Sequence, residues 1–154
     1  GVLWSGGRNV MLRAGVSQIY GLAGVPSRDG VARVEITKFL NRVRPPFSAN
    51  SLAQCAALAA LGDDEHVARS RAVNEAGMEQ MVKGLSSLGF APIPSEANFV
   101  YVDVGRDGRT VVEAMLREGI IVRHIEGQMV RVTIGLEEEN REFLAALKRV
   151  IHPH

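Results

Sequence analysis

The second half of the chain alternates between short apolar runs and amphipathic segments, and this order restricts its possible folds more than any other feature. The predicted elements are a strand at 97–104, a helix at 109–118, strands at 120–123 and 129–134, and a helix at 137–151. The last helix opens with acidic residues, as the helix dipole favours. The order strand, helix, strand, strand, helix predicts a mixed α/β fold, of the α+β kind in this part, in which helices cover one face of a small sheet.

The first half of the chain is mainly helical by the same criteria. The predicted elements are a strand at 9–13, a glycine-containing loop at 14–30, and helices over much of 31–44, at 52–61 and from 63 to about 88. Pro45-Pro46 ends the first helix, and Asn50 or Ser51 can cap the second. The third helix would be long for a single globular domain, and such a helix often connects two lobes.

Composition excludes several classes of protein. The 154 residues include 18 basic and 17 acidic side chains, so the net charge of +1 argues against nucleic-acid or membrane-surface binding. The single cysteine, Cys55, excludes a disulfide framework, and we expect it to be a small core residue. Four scattered histidines predict no metal site. No apolar run is long enough to span a membrane and no signal peptide is evident, so we expect a cytoplasmic protein.

Two arginines are candidates for binding an anion. Arg131 lies inside an apolar strand, where alternation places it on one face with Met129 and Thr133. Arg123 ends the preceding predicted strand. A strand arginine beside a cleft suits a carboxylate or phosphate, because the guanidinium donates two parallel hydrogen bonds. The alternative is a surface arginine on a half-exposed sheet, and spacing alone leaves both interpretations open.

Four stretches of the chain resemble segments of histidinol-phosphate aminotransferases. They occur in the same order as in that family and at nearly the same spacing. The stretches are residues 17–24 (Ser-Gln-Ile-Tyr-Gly-Leu-Ala-Gly), 40–54, 94–99 (Pro-Ser-Glu-Ala-Asn-Phe) and 130–135 (Val-Arg-Val-Thr-Ile-Gly), the last followed by Glu138-Glu139-Asn140. The resemblance extends over nearly the whole chain but only to the C-terminal part of this aminotransferase fold. It implies that residues 1–62 are a remnant of the large cofactor-binding domain. Residues 63–154 would be the long connecting, interdomain helix and the small domain.

The resemblance implies a pyridoxal-phosphate-dependent enzyme of fold type I. Its family activity is transfer of an amino group between histidinol phosphate and glutamate in histidine biosynthesis, by enzymes that are homodimers. Ser17 matches the serine that holds the cofactor phosphate, and Arg123 and Arg131 match the arginines that bind the anionic end of the substrate. A relative of threonine-phosphate decarboxylase, in the same fold type, is a further alternative.

The chain departs from the family pattern at its chemical centre. Gln18 occupies the position of the Schiff-base lysine, and a carboxamide cannot form an imine. Pro26 occupies the position of a phosphate-binding arginine, for which Arg28 is a partial replacement. The connection between Arg123 and Arg131 is shorter than is common in the family.

The chain is thus interpreted as a fragment or degenerate copy of an aminotransferase, inactive by itself. A non-catalytic remnant that binds a phosphate ligand or a partner chain is the alternative.

Overall fold

The computed structural model describes residues 11–15, 19–22, 28–44 and 50–152, and for residues 11–15 and 28–32 it describes the backbone. The chain forms two compact units, Gly1–Ser70 and Arg71–His154. The elements, in chain order, are β1 (Met11–Gly15), β2 (Arg28–Ala32), α1 (Val34–Val43), α2 (Ser51–Ala60), α3 (Asp64–Ser87), β3 (Phe99–Asp103), α4 (Gly108–Arg117), β4 (Arg123–Glu126), β5 (Met129–Thr133) and α5 (Glu137–Ile151). The predicted mixed α/β fold is confirmed. The functional assignment of residues 1–62 and 63–154 stays a prediction.

The first unit contains a β-hairpin that the sequence patterns do not indicate. Strands β1 and β2 pair antiparallel, from Met11 opposite Ala32 to Gly15 opposite Arg28. The predicted loop over 14–30 is therefore wrong at both ends, whereas the helix predicted over much of 31–44 is α1. The second strand, Arg-Asp-Gly-Val-Ala, has little strand propensity of its own, so its conformation depends on pairing with the first.

The second helix of this unit begins where its cap was expected. The Asn50 side chain accepts a hydrogen bond from the Ala53 backbone N–H at 2.7 Å. Ala53 is the buried residue of α2, whereas Cys55 is exposed. The prediction that Cys55 is a core residue is wrong because two residues along a helix correspond to a rotation of about 200°. Cys55 therefore lies on nearly the opposite side of α2.

The second unit is built on a three-stranded antiparallel sheet in the order β3-β5-β4. Val100 pairs with Val132 and Tyr101 with Arg131, so the central strand β5 is in register with β3 over its whole length. Burial alternates along both strands. The valines are buried on one face, and the other face is half-exposed, as the alternating sequence predicted.

Three helices cover the buried face of this sheet. Their fully or nearly buried side chains form one cluster with the strand valines. The helix members are Met81 and Leu85 of α3, Val111 and Met115 of α4, and Phe143, Ala146, Leu147 and Ile151 of α5. The predicted arrangement of helices on one face of a small sheet is confirmed.

The strand predicted at 120–123 lies later in the chain. Gly119 has a φ of +82°, which ends α4, and the Ile120 N–H then donates to the Met115 carbonyl at 2.9 Å. Residues 120–122 complete the exit from the helix and do not pair with the sheet, and Ile121 is 86% exposed. Arg123 consequently begins β4 instead of ending a strand.

A buried asparagine fixes the corner between β5 and α5. Asn140, in the Glu-Glu-Asn stretch, accepts from the Gly135 N–H at 2.9 Å and donates to the Gly135 carbonyl at 3.1 Å. Its amide also donates to Gln80 Oε1 of α3, whose own amide donates to the Glu137 carbonyl. Asn140 is 2% exposed, so these bonds satisfy a polar group that would otherwise be costly to bury. This part of the family resemblance therefore has a structural role.

The cap of α4 predicts that the stability of the second unit depends on pH. Asp107 Oδ2 accepts from Thr110 Oγ1 at 2.7 Å and from the Thr110 N–H at 2.9 Å. These bonds hold the pKa of Asp107 below its ordinary value. Because the folded-state pKa is the lower one, the stabilisation is complete above the unfolded value, about 3.9, and is lost as the pH falls through the folded value.

We expect Asp107→Asn to reduce this acid sensitivity. Asparagine caps helices well but does not titrate, so the free energy of unfolding should fall less between pH 5 and pH 2.5 in the variant than in the unsubstituted chain. Urea unfolding followed by circular dichroism at several pH values measures the difference. Identical pH profiles for the two proteins would contradict the assignment of this cap.

Candidate anion-binding site

Two arginines occupy one row across the half-exposed face of the sheet. Arg131, on the central strand β5, lies directly opposite Tyr101 of β3 and directly opposite Arg123 of β4. Residues paired in this way point to the same face, with Cβ atoms about 4.5–5.5 Å apart. The structure therefore brings the two predicted substrate arginines together on neighbouring strands.

The short connection between the two arginines is a β-hairpin turn. Hydrogen bonds attach this turn to two neighbouring elements. The Gly127 carbonyl accepts from the Gly108 N–H at 2.9 Å and lies 3.2 Å from His124 Nε2. The Gln128 carbonyl accepts from the Val104 N–H at 3.1 Å. These bonds attach the turn to the start of α4 and the end of β3. The hydrogen bonds hold this turn while Arg123 pairs with Arg131.

Arg131 packs against an aromatic pair. Its guanidinium carbon lies 5.0 Å from the centroid of the Phe99 ring, within the range of a cation–π interaction. The Phe99 ring in turn meets Tyr101 edge-on, with centroids 5.3 Å apart and an angle of 80° between the planes. Arg131 Nε is buried and has no hydrogen-bond partner among the residues that the structure describes.

Neither arginine of this row forms an ion pair within the described part of the chain. Arg149 pairs with Glu118 at 2.6 Å and Arg141 lies near two acidic residues of its own helix, but Arg123 and Arg131 make no salt bridge to any described carboxylate. Like charges directly opposite each other destabilise a sheet. An anion bound between them would remove this repulsion and would accept the paired hydrogen bonds that guanidinium groups donate.

The other predicted site residues are less fully described. Ser17 and Gln18 lie outside the described residues. Arg28 begins β2 opposite Gly15, and its side chain also lies outside the described part. Their roles stay predictions. Sequence reasoning missed Phe99, although an aromatic residue two positions from Tyr101 in an alternating strand indicates a shared face.

Neither a metal cluster nor a membrane span is present in the described part of the chain. Over residues 11–15, 19–22, 28–44 and 50–152, no three His, Cys, Asp or Glu side chains are placed to share a metal ion. In those same ranges no helix has the length and apolar character needed to cross a membrane.

Comparison with known protein sequences identifies several relatives. The chain is 49% identical over 147 residues to histidinol-phosphate aminotransferase 1 of Nitrosococcus oceani, covering 93% of this chain and 40% of the relative. It is 46% identical to histidinol-phosphate aminotransferases of an Anaeromyxobacter species and of Moorella thermoacetica, covering 41% and 39% of their lengths. The chain therefore spans about 40% of the length of the curated relatives it matches.

Comparison with solved structures finds the same fold. The histidinol-phosphate aminotransferase of Sinorhizobium meliloti, solved in complex with pyridoxal-5'-phosphate, aligns with a TM-score of 0.83 and 26% identity over 93% of this chain and 41% of that chain. The L-threonine-O-3-phosphate decarboxylase of Porphyromonas gingivalis aligns with a TM-score of 0.75 and 20% identity over 94% and 47% of the two chains. The latter similarity shows a shared fold alone.

The family model for class I and II aminotransferases matches residues 3–147, nearly the whole chain. The resemblance inferred from the four sequence stretches is thereby confirmed. The chain belongs to the class I and II aminotransferase family.

Proposed function

We propose that this chain supplies the substrate-anion site of a pyridoxal-phosphate-dependent aminotransferase of the histidinol-phosphate type, as a fragment or degenerate copy of such an enzyme. The reaction is transfer of an amino group between histidinol phosphate and glutamate, in histidine biosynthesis. The observation that carries the proposal is the row formed by Arg123 and Arg131 on one sheet face. Relatives at 43–49% identity named as histidinol-phosphate aminotransferases support the choice of substrate.

The arginine pair suits both substrates of this reaction. Histidinol phosphate carries a phosphate ester, and glutamate carries two carboxylates. Each of these groups accepts two parallel hydrogen bonds from a guanidinium. Arg131 is half-buried, where such bonds are stronger than in bulk water, whereas Arg123 is exposed. In this proposal Arg131 is the principal anchor and Arg123 adds a second, more solvated contact.

Covalent attachment of the cofactor does not fit the residues present. Pyridoxal phosphate, when bound in an aminotransferase, supplies the electron sink for the reaction. Gln18 occupies the position of the attaching lysine, and its carboxamide nitrogen is not a nucleophilic amine. Ser17 and Arg28 are the proposed contacts to the cofactor phosphate. The chemistry assigned to this chain is therefore binding and orientation of anions, with no imine step.

The proposal keeps three predictions about the wider organisation of the protein. Residues 1–62 are assigned to the large cofactor-binding domain, and residues 63–154 to the connecting helix and small domain. Formation of a homodimer is typical of this family and is proposed for the enzyme to which this part belongs. A cytoplasmic location follows from a biosynthetic role.

Calorimetric titration of the chain with histidinol phosphate tests the proposed site, with histidinol as the matched ligand that lacks the phosphate. We expect saturable binding of the phosphate ester and none of histidinol at the same concentrations. The difference should shrink as salt increases, because the arginine row is partly exposed to solvent. Equal binding of the two ligands, or binding of neither, would overturn the proposal.

A non-catalytic anion-binding protein is the second candidate, and Gln18 is the observation that favours it. Incubation with pyridoxal phosphate, histidinol phosphate and 2-oxoglutarate tests it. We expect binding without turnover, and formation of glutamate by this chain would exclude the non-catalytic alternative.

A further inference from the structure

We infer that Phe99 is a positioning residue, which holds the guanidinium of Arg131 in the orientation that receives the anion. Phe99 acts through Arg131 and need not touch the ligand. The inference rests on the proposed anion site and names a residue on which the affinity of that site depends.

The first support is the geometry of the three side chains. The guanidinium carbon of Arg131 lies 5.0 Å from the Phe99 ring centroid, and the Phe99 ring is itself fixed by an edge-on contact with Tyr101. Tyr101 is the direct cross-strand partner of Arg131. The three side chains therefore lie next to one another on two paired strands. The aromatic rings limit the rotamers that the arginine can adopt.

The second support is the unpaired nitrogen of Arg131. Most buried donors have a hydrogen-bond partner, yet Arg131 Nε is buried and has none among the described residues. The described part of the chain also provides no carboxylate salt bridge that would orient this side chain. The Phe99 ring face is therefore the group that orients the cation.

The choice of an aromatic ring has a consequence for binding. A carboxylate in contact with Arg131 would neutralise its charge and compete with the ligand for the same N–H donors. A ring face attracts the cation but occupies few of its five donors. The guanidinium is thus held in place while its charge and most of its donors stay available to an anion.

The position of Phe99 separates this role from stability of the core. Phe99 lies on the half-exposed face, opposite Thr133, and is not a member of the buried cluster formed by the strand valines and the helices. Replacing Phe99 should therefore alter the arginine more than it alters the fold.

Phe99→Leu tests the inference, because leucine keeps an apolar side chain and removes the ring face. We expect roughly 3- to 30-fold weaker binding of histidinol phosphate, measured by calorimetry on the full chain. Phe99→Tyr keeps the ring and should stay within about twofold of the unsubstituted chain, since the cation–π contact is retained. Thr133→Val, on the same face, is the matched control and should leave the affinity unchanged.

A spectroscopic readout distinguishes positioning from a structural effect. The Nε proton of Arg131 gives a ¹H–¹⁵N signal that Arg131→Lys identifies by its loss. In the unsubstituted chain the Phe99 ring current should shift this signal, and Phe99→Leu should remove the shift while the circular dichroism spectrum is unchanged. If Phe99→Leu does not fold, Phe99→Met provides the same comparison.

The outcomes separate this inference from the proposed function. Unchanged affinity in folded Phe99→Leu, with binding intact in the unsubstituted chain, would overturn the role of Phe99 alone. An Arg131 Nε signal that does not respond to loss of the ring would do the same. Failure of the unsubstituted chain to bind histidinol phosphate would overturn the proposed function and this inference together.

Discussion

Arg131→Ala is expected to weaken binding of histidinol phosphate by at least about 100-fold, which abolishes the signal in an ordinary calorimetric titration. The substitution removes a charged fork that donates two hydrogen bonds to the anion, and each bond to a charged group contributes about 1.5–3 kcal/mol. A loss of about 3 kcal/mol corresponds to more than a hundredfold in affinity. The half-buried position of Arg131 reduces the ability of water to replace these bonds.

Three further variants define the origin of this loss. Arg131→Lys keeps the charge but not the planar fork, so we expect an intermediate loss of about tenfold. Arg123→Ala should cost less than Arg131→Ala because Arg123 is exposed. Arg109→Ala, at an exposed position on α4, is the control for net charge and should have no effect. Full affinity in Arg131→Ala would identify Arg131 as an ordinary surface arginine.

Leu85→Ala is expected to lower the free energy of unfolding of the second unit by about 2–5 kcal/mol. This is the usual cost of truncating a buried leucine to alanine in a packed core. Leu85 lies on α3, has no solvent exposure and belongs to the cluster that joins the three helices to the sheet. Its loss leaves a cavity under the strands that carry the arginines. Urea unfolding followed by circular dichroism measures the change.

Val82→Ala, three residues earlier on the same helix, is the control. Val82 is 39% exposed and lies outside the buried cluster, so its truncation should cost no more than about 1 kcal/mol. A comparable cost for the two substitutions would mean that α3 is not packed on the sheet through the face described above. A small cost for Leu85→Ala alone would mean that the core collapses around the missing side chain.

Much of the second unit could be predicted from sequence because its signals are local. Strand alternation identified the face shared by Met129, Arg131 and Thr133, and helix periodicity located α5. The errors occur where pairing between distant residues decides the outcome. Strand β2 forms from weakly strand-forming residues by pairing with β1, and β4 begins at Arg123, where pairing with β5 begins. Periodicity assigns residues to the two faces of a strand, but it does not say which strands pair.

The sequence alone determined the family and one limit on its chemistry. Four stretches in family order identify the aminotransferase family, and Gln18 lacks an amine whatever the surrounding structure, because functional-group chemistry is a property of the residue itself.

Only the tertiary structure decided how the residues of the proposed anion site come together. It placed Arg123 opposite Arg131, stacked Arg131 on Phe99 and left Arg131 Nε without a protein acceptor in the described residues. The physical reason is that a site of this kind depends on distances between side chains on different strands, and those distances are fixed by hydrogen-bonded register and packing, which are long-range properties of the folded chain.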